Sequence, residues 1–237
     1  MPGRKTAFLR QLRGLLYPEN IYCMCCGDTI DGSRIHGLCD ACVQQLPWTA
    51  ENPFRPVMDD FAFDDIWPVV RYGAHVRGIL HGLKLHGQTY IARNLGKLLA
   101  ERVMMEEAGW DLITAVPLHK DKQKKRGYNQ AELLARYAAE GLGASCRSEI
   151  LAKPRSTGSL RLADSRMRRH MLADAFAVPE KYRQTVEGKH ILLVDDVCTT
   201  GSTADACARA LKDAGAARVT LLCFAVSAGA RREETGE

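Results

Sequence analysis

ILLVDDVCTTGST, residues 191–203, is the stretch on which the reading of this chain turns. Four consecutive apolar residues, Ile191, Leu192, Leu193 and Val194, predict a strand buried on both faces. Asp195 and Asp196 stand at its carboxyl end, where open α/β sheets bind their ligands. Thr199, Thr200, Gly201, Ser202 and Thr203 follow, immediately before a predicted helix over 204–214. Free backbone N–H groups, hydroxyls and a helix dipole then point to one place, which is how a phosphate is held. Gly201 permits the close backbone approach or positive φ that such a loop needs. With two carboxylates just upstream, one strand–loop–helix can grip a ribose 5-phosphate at both ends. Neither GxxxxGK[ST] nor GxGxxG occurs in the chain.

Working outward, RVTLLCFAV (218–226) is a second apolar strand. Strand, helix and strand in so short a span imply a parallel sheet with a right-handed crossover. DLITAVPLH (111–119) reads as another buried strand ended by proline, and KDKQKKRGYNQ as a basic loop before the helix AELLARYAAEGLG. Helices are predicted over 75–85 and 90–107, after a short strand VVRYG. Residues 153–174 are polar, basic and poorly periodic, the texture of a long surface loop. The expected organisation is an amphipathic lead helix over 1–20, a cysteine module over 21–46, a Pro-rich acidic connector over 47–68, an α/β domain over 69–226 and a disordered tail over 227–237.

At 237 residues with 46% hydrophobic composition, the chain can bury a substantial core. A formal charge of +5 is too mild for a dedicated nucleic-acid binder, so the placement of charge matters more than its total. No apolar run reaches the ~20 residues of a membrane helix, and Arg10 and Arg13 interrupt what a signal peptide would keep apolar. A cytoplasmic location without membrane association is expected.

Of nine cysteines, five fall within residues 23–42. In a reducing compartment such clustering indicates metal rather than disulfides. Cys23, Cys26, Cys39 and Cys42 form two CxxC pairs separated by twelve residues, the pattern of a closed tetrahedral Zn²⁺ site with a structural role. Cys25 competes with Cys23 for the first position. Cys198 lies in the phosphate loop, where a helix N-terminus can depress a thiol's pKa.

VDDVCTTGST is similar to the phosphoribosyl pyrophosphate (PRPP) signature of type I phosphoribosyltransferases. Together with the CxxC…CxxC head, YGAHVRGILHGLKLHG, ITAVPLH and KKRGYNQAELLA, in that order, it resembles the ComF family. That family is named for bacterial DNA-uptake competence and includes the GntX proteins. The resemblance implies a type I phosphoribosyltransferase-like parallel sheet flanked by helices, preceded by a small four-cysteine zinc module. It also implies that Asp195 and Asp196 hold the ribose 2′- and 3′-hydroxyls and that Thr199, Thr200, Gly201, Ser202 and Thr203 hold the 5′-phosphate. Mg²⁺ would arrive with the pyrophosphate, held mainly by ligand oxygens and water. Pro117, Leu118, His119 and Lys120 would cradle the pyrophosphate, with Arg126 nearby and Lys84 facing the ligand.

Two functions remain open. One is phosphoribosyl transfer from PRPP to an unknown acceptor, releasing pyrophosphate, in a cell biology linked to DNA uptake. The other is a non-catalytic competence component that senses PRPP or a nucleotide and binds single-stranded DNA or a DNA-processing protein. For that role Lys122, Lys124 and Lys125 would meet the backbone while a base stacks on Tyr128. Two departures bear on the choice. ComF sequences commonly carry Thr-x-x-Gln and Arg-x-x-Asn elements, where this chain has Thr157-Gly158-Ser159-Leu160 and, after Arg168, Met171.

Overall fold

The structure, a computed structural model, describes residues 21–32, 34, 36–85, 90–154, 172 and 174–227, with the side chains of 55–57, 85 and 125 left aside. The lead helix expected over 1–20, most of the loop 153–174 and the tail beyond 227 lie outside the described residues. The chain forms two compact units, Met1–Leu46 and Pro47–Glu237.

In the first unit the described chain turns back on itself. Tyr22 and Thr29 form an antiparallel bridge, and the Met24 N–H donates to the Gly37 carbonyl at 2.8 Å. Helix α1, Asp40–Gln45, follows Cys39. Five hydrophobic residues of this stretch are buried: Cys23, Met24, Leu38, Cys42 and Leu46. Two of the five are cysteines, so apolar packing alone gives little to hold the unit.

The second unit runs β1 (Asp65–Arg71), α2 (Ala74–Leu85), α3 (Tyr90–Met104), β2 (Leu112–Ala115), α4 (Lys120–Arg126), α5 (Gln130–Gly141), β3 (His190–Cys198), α6 (Ser202–Asp213) and β4 (Arg218–Val226). The four strands make one parallel sheet in the order β1-β4-β3-β2. Ile191, Leu192, Leu193 and Val194 are wholly buried in β3. Helix α3 packs on β1 and β4, α5 on β2 and β3, and α6 on β3 and β4. Helices α3 and α5 also pack on each other, so closely that a Cβ on Gly96 would come within 2.3 Å of the Tyr137 Cβ.

Strand β1 begins at Asp65, inside the stretch expected to be a connector, and Arg55–Asp60 forms a 3₁₀ turn before it. Pro68 had obscured the strand, since proline is expected only in edge strands, and β1 is one. Residues 47–49 cover its open side. The Thr49 N–H donates to the Val69 carbonyl at 3.0 Å and the Arg71 N–H to the Pro47 carbonyl at 2.8 Å. Buried Arg102 donates to the Pro68 carbonyl at 3.1 Å. These bonds satisfy edge groups that would otherwise invite pairing with another chain.

The basic stretch after β2 is helical over Lys120–Arg126 rather than a loop. His119 caps its start, Nδ1 accepting the Asp121 N–H at 3.3 Å, and Gly127 closes it in the left-handed conformation. Its lack of an apolar face hid the helix, because periodicity has nothing to mark on an all-polar turn.

Candidate functional site

After β2 the chain passes through α5 and returns beside β2, where Cys146 bridges Ile113 in parallel. After β3 it passes through α6 to β4 on the other side. Loops leaving neighbouring β2 and β3 therefore diverge, which opens a crevice at the carboxyl edge of the sheet. The Val116 N–H donates to the Val194 carbonyl at 2.9 Å, setting the start of loop 117–120 next to Asp195.

The two acids come to this crevice half-buried. Asp195 Oδ1 accepts the Asp196 N–H and Asp196 Oδ1 accepts the Val197 N–H, each at 2.8 Å. Lys84, from α2, places its ammonium 2.6 Å from Asp196 Oδ2. Burial first, and then the charge of Asp196, push the Asp195 carboxyl up to about 8, with Lys84 opposing. Below that pH the folded chain keeps a proton that the unfolded chain releases near the ordinary carboxylate pKa. Stability therefore falls as pH rises between the two values.

Gly201 sits at φ 74°, just before α6, and has no side chain to cap that helix, while the Ser202 N–H donates to Thr200 Oγ1 at a long 3.5 Å. The Thr200 and Ser202 hydroxyls lie 3.0 Å apart. The first turn of α6 thus keeps the donor character of a phosphate-binding terminus. Phe61 and Asp205 complete the loop, and nothing in the sequence pattern had marked either. The Ala62 N–H donates to buried Asp205 at 2.7 Å, which lays Phe61 against the loop. A Cβ on Gly201 would lie 2.7 Å from the Phe61 ring. Gly201→Ala should therefore deform the loop through both its φ and the clash, costing on the order of 1–3 kcal/mol of stability. Urea unfolding checks this, and an unchanged midpoint would show that the loop has room to give.

Pro117, Leu118 and His119 are half-buried, while Lys120, Lys122 and Lys124 are exposed on α4. Arg126 donates to the Gln130 side chain at 2.6 Å. The Asn129 amide donates to the Val116 carbonyl at 3.0 Å, tying the start of α5 to loop 117–120. The Tyr128 hydroxyl donates to the Leu83 carbonyl. Lys153, which the sequence reading passed over, is half-buried with its amine 4.7 Å from the Phe176 ring. Burial and then the charge of Lys122 hold its pKa down, while the charge of Asp195 acts the other way. Lys84 and Lys153 thus bring their charges to bear around the acids, and Lys122 acts on Lys153. Cys198 is buried in the strand, and its thiol is pushed up to about 12 by burial and the charge of Asp195, contrary to the depression its position suggested.

In the first unit, the sulfurs of Cys23, Cys26, Cys39 and Cys42 all lie within 4.8 Å of one another and could hold a metal ion. The Cys39 N–H donates to Cys23 Sγ at 3.4 Å, and Arg34 pairs with Asp40 at the start of α1. Cys25 is not one of the converging four.

Residues 148–237, which contain β3, the loop, α6 and β4, match the phosphoribosyl transferase domain family. The crevice with its acid pair and glycine turn therefore lies in a domain of phosphoribosyltransferase type. The chain is 30% identical over 211 residues to DNA utilization protein YhgH of Escherichia coli O157:H7, covering 87% of this chain and 84% of that protein. It belongs to the family of that protein. A 34% match over 151 residues to YhgH of Salmonella typhi covers 62% of this chain and 65% of that relative, a little under two thirds of its length. Competence protein F of Haemophilus influenzae is 27% identical over 182 residues, covering 75% of this chain and 79% of that protein.

Proposed function

We propose that the second unit binds PRPP with Mg²⁺ and transfers its phosphoribosyl group to an acceptor, releasing pyrophosphate. The observation that carries this reading is the half-buried pair Asp195 and Asp196, set at the end of a central strand that leads through a short hydroxyl-rich turn into a helix with glycine at its N-cap. Asp195 Oδ2, and Asp196 Oδ2 beside Lys84, accept the 2′- and 3′-hydroxyls, while Thr199, Thr200, Gly201, Ser202 and Thr203 receive the 5′-phosphate. The pyrophosphate lies toward Pro117, Leu118, His119 and Lys120, within the field of Lys84, Lys122, Lys153 and Arg126. Those cations stabilise charge that grows on the leaving group as the glycosidic bond breaks. Mg²⁺ suits this donor set, oxygens of ligand, water and carboxylate, and supplies further neutralisation of the pyrophosphate. The test is calorimetric titration of Mg²⁺–PRPP into zinc-loaded protein, wild type and Asp195→Asn/Asp196→Asn. Saturable heat lost in the double variant supports the reading, and no heat from folded wild type overturns it.

The four converging thiols support a structural Zn²⁺, since such a set leaves no open coordination position. Five cysteines kept as thiols in residues 23–42 support a cytoplasmic location. Among the described residues no helix is long and apolar enough to cross a membrane.

A second reading is favoured by α4, whose exposed Lys120, Lys122 and Lys124 present charge to solvent. In that reading the protein serves DNA uptake as a non-catalytic component binding single-stranded DNA; its similarity to a DNA utilization protein and a competence protein supports a link to DNA. Lys122→Ala/Lys124→Ala should then weaken oligonucleotide binding and flatten its dependence on salt by a slope of about 1–2. Fluorescence anisotropy across a salt series reads both, and a slope unchanged by the substitutions removes α4 from any such interface.

A further inference from the structure

The Tyr128 ring had suggested a stacking platform, but its hydroxyl is committed. It donates to the carbonyl of Leu83 in the last turn of α2. The last four carbonyls of a helix have no partner within it, and this bond satisfies one of them. The residue that follows Leu83 is Lys84, whose ammonium lies 2.6 Å from Asp196 Oδ2. The neighbouring side chain, buried Asn129, holds the Val116 carbonyl at 3.0 Å. One short turn between α4 and α5 thus grips both the helix that delivers Lys84 and the loop that starts at Pro117.

We propose that Tyr128 is a positioning residue, fixing the end of α2 so that the Lys84 ammonium stays on Asp196 and keeps the acid pair ready for a ribose diol. The inference rests on the PRPP reading given above. Two carboxylates side by side repel each other, and a diol is held only if both remain available as acceptors. Among the described residues, Lys84 reaches this pair within ion-pairing distance, at Asp196. A lysine side chain has four rotatable bonds, so its placement depends on the backbone that carries it. Freeing the Leu83 carbonyl loosens that backbone without touching ligand.

The test is a double-mutant cycle on Mg²⁺–PRPP affinity with Tyr128→Phe, Lys84→Met and their combination, read by calorimetry over a pH series. Tyr128→Phe keeps the ring and should weaken binding roughly fivefold to tenfold, the effect of one hydrogen bond. In the Lys84→Met background the same change should alter affinity less than about twofold, because the group it positions is gone. Both single variants should also move the pH midpoint of binding upward. The charges and thiols that otherwise face Asp195 are Asp196, Lys153, Cys198, Cys207 and Cys223, and these stay in place.

A Tyr128→Phe loss of equal size in both backgrounds would show a purely structural role and overturn the inference. Wild-type affinity and pH midpoint in Lys84→Met would also overturn it, independently of whether Tyr128→Phe folds. If wild type fails to bind Mg²⁺–PRPP at all, the PRPP reading falls and this inference with it. Binding by wild type that Tyr128→Phe leaves unaltered removes the inference alone.

Discussion

Asp195→Asn/Asp196→Asn should abolish Mg²⁺–PRPP binding, and Asp195→Asn by itself should make the ligand-free protein more stable at pH 8. The two effects share one cause. A half-buried carboxyl raised to about 8 by burial and by its acidic neighbour is a group the fold holds at a cost. Asparagine keeps an oxygen for the Asp196 N–H, which Asp195 accepts at 2.8 Å, and carries no charge. The gain should be on the order of 1–3 kcal/mol at pH 8 and should shrink as pH falls toward the ordinary carboxylate pKa, below which the wild-type carboxyl is protonated in folded and unfolded chains alike. Urea unfolding of both proteins at pH 5 and pH 8.5 checks the sign. A variant less stable than wild type at pH 8.5 would mean that neighbouring cations more than compensate the buried acid. A cost held by the empty site and relieved by substitution is the pattern expected of a binding group rather than a structural one.

The second large effect is at the other end of the chain. Removing zinc with a chelator, or replacing Cys39 by Ser, should unfold residues 21–46 while the melting transition of the α/β unit remains. The described part of that stretch buries five hydrophobic residues, two of them among the four converging thiols. Structural zinc contributes about 10–16 kcal/mol in peptides of this kind, far more than so small a core can supply. Metal content by mass spectrometry and amide dispersion in NMR read the result. Dispersed amides for residues 21–46 in metal-free protein would show that the unit folds without an ion. Cys25→Ser should leave both readings unchanged, since Cys25 lies outside the converging set.

Cys25 illustrates the limit of spacing as a signal. CxCC holds one CxxC pair, Cys23 and Cys26, and leaves a third thiol beside it that spacing does not exclude as a ligand. The turn is closed by the Cys23 N–H to the Asp28 carbonyl, at 2.8 Å, and by the Gly27 N–H back to the Cys23 carbonyl, at 2.9 Å; the sulfurs of Cys23 and Cys26 converge with those of Cys39 and Cys42, while Cys25 reaches Cys42. Tyr128 is a similar case. Beside a run of lysines an aromatic ring reads as a stacking surface, and only its contact with α2, forty-five residues earlier in the chain, gives it a different role.

The sequence by itself determined much of what local order sets, the all-polar helix over Lys120–Arg126 excepted. The parallel sheet was legible because strands buried on both faces are continuous apolar runs, as β3 and β4 are. The acid pair and the glycine turn after it were legible as neighbours because strand, acids, glycine and helix follow one another without interruption, so chain connectivity brings them together. What only the tertiary structure decided was what arrives from elsewhere in the chain. Lys84 had been marked as a cation facing the ligand, but its place on Asp196 depends on α2. Lys153 joins the acids through the Ala152–Ala177 bridge and Phe176, and Phe61 reaches Gly201 through the bond from Ala62 to Asp205. β1 was half hidden because a proline inside an apolar stretch argues against a strand until the fold places that strand at an edge. The common reason is physical. Local sequence sets backbone conformation and the order of groups along an element, whereas burial and the charges that tune a carboxyl depend on partners brought in from distant parts of the chain.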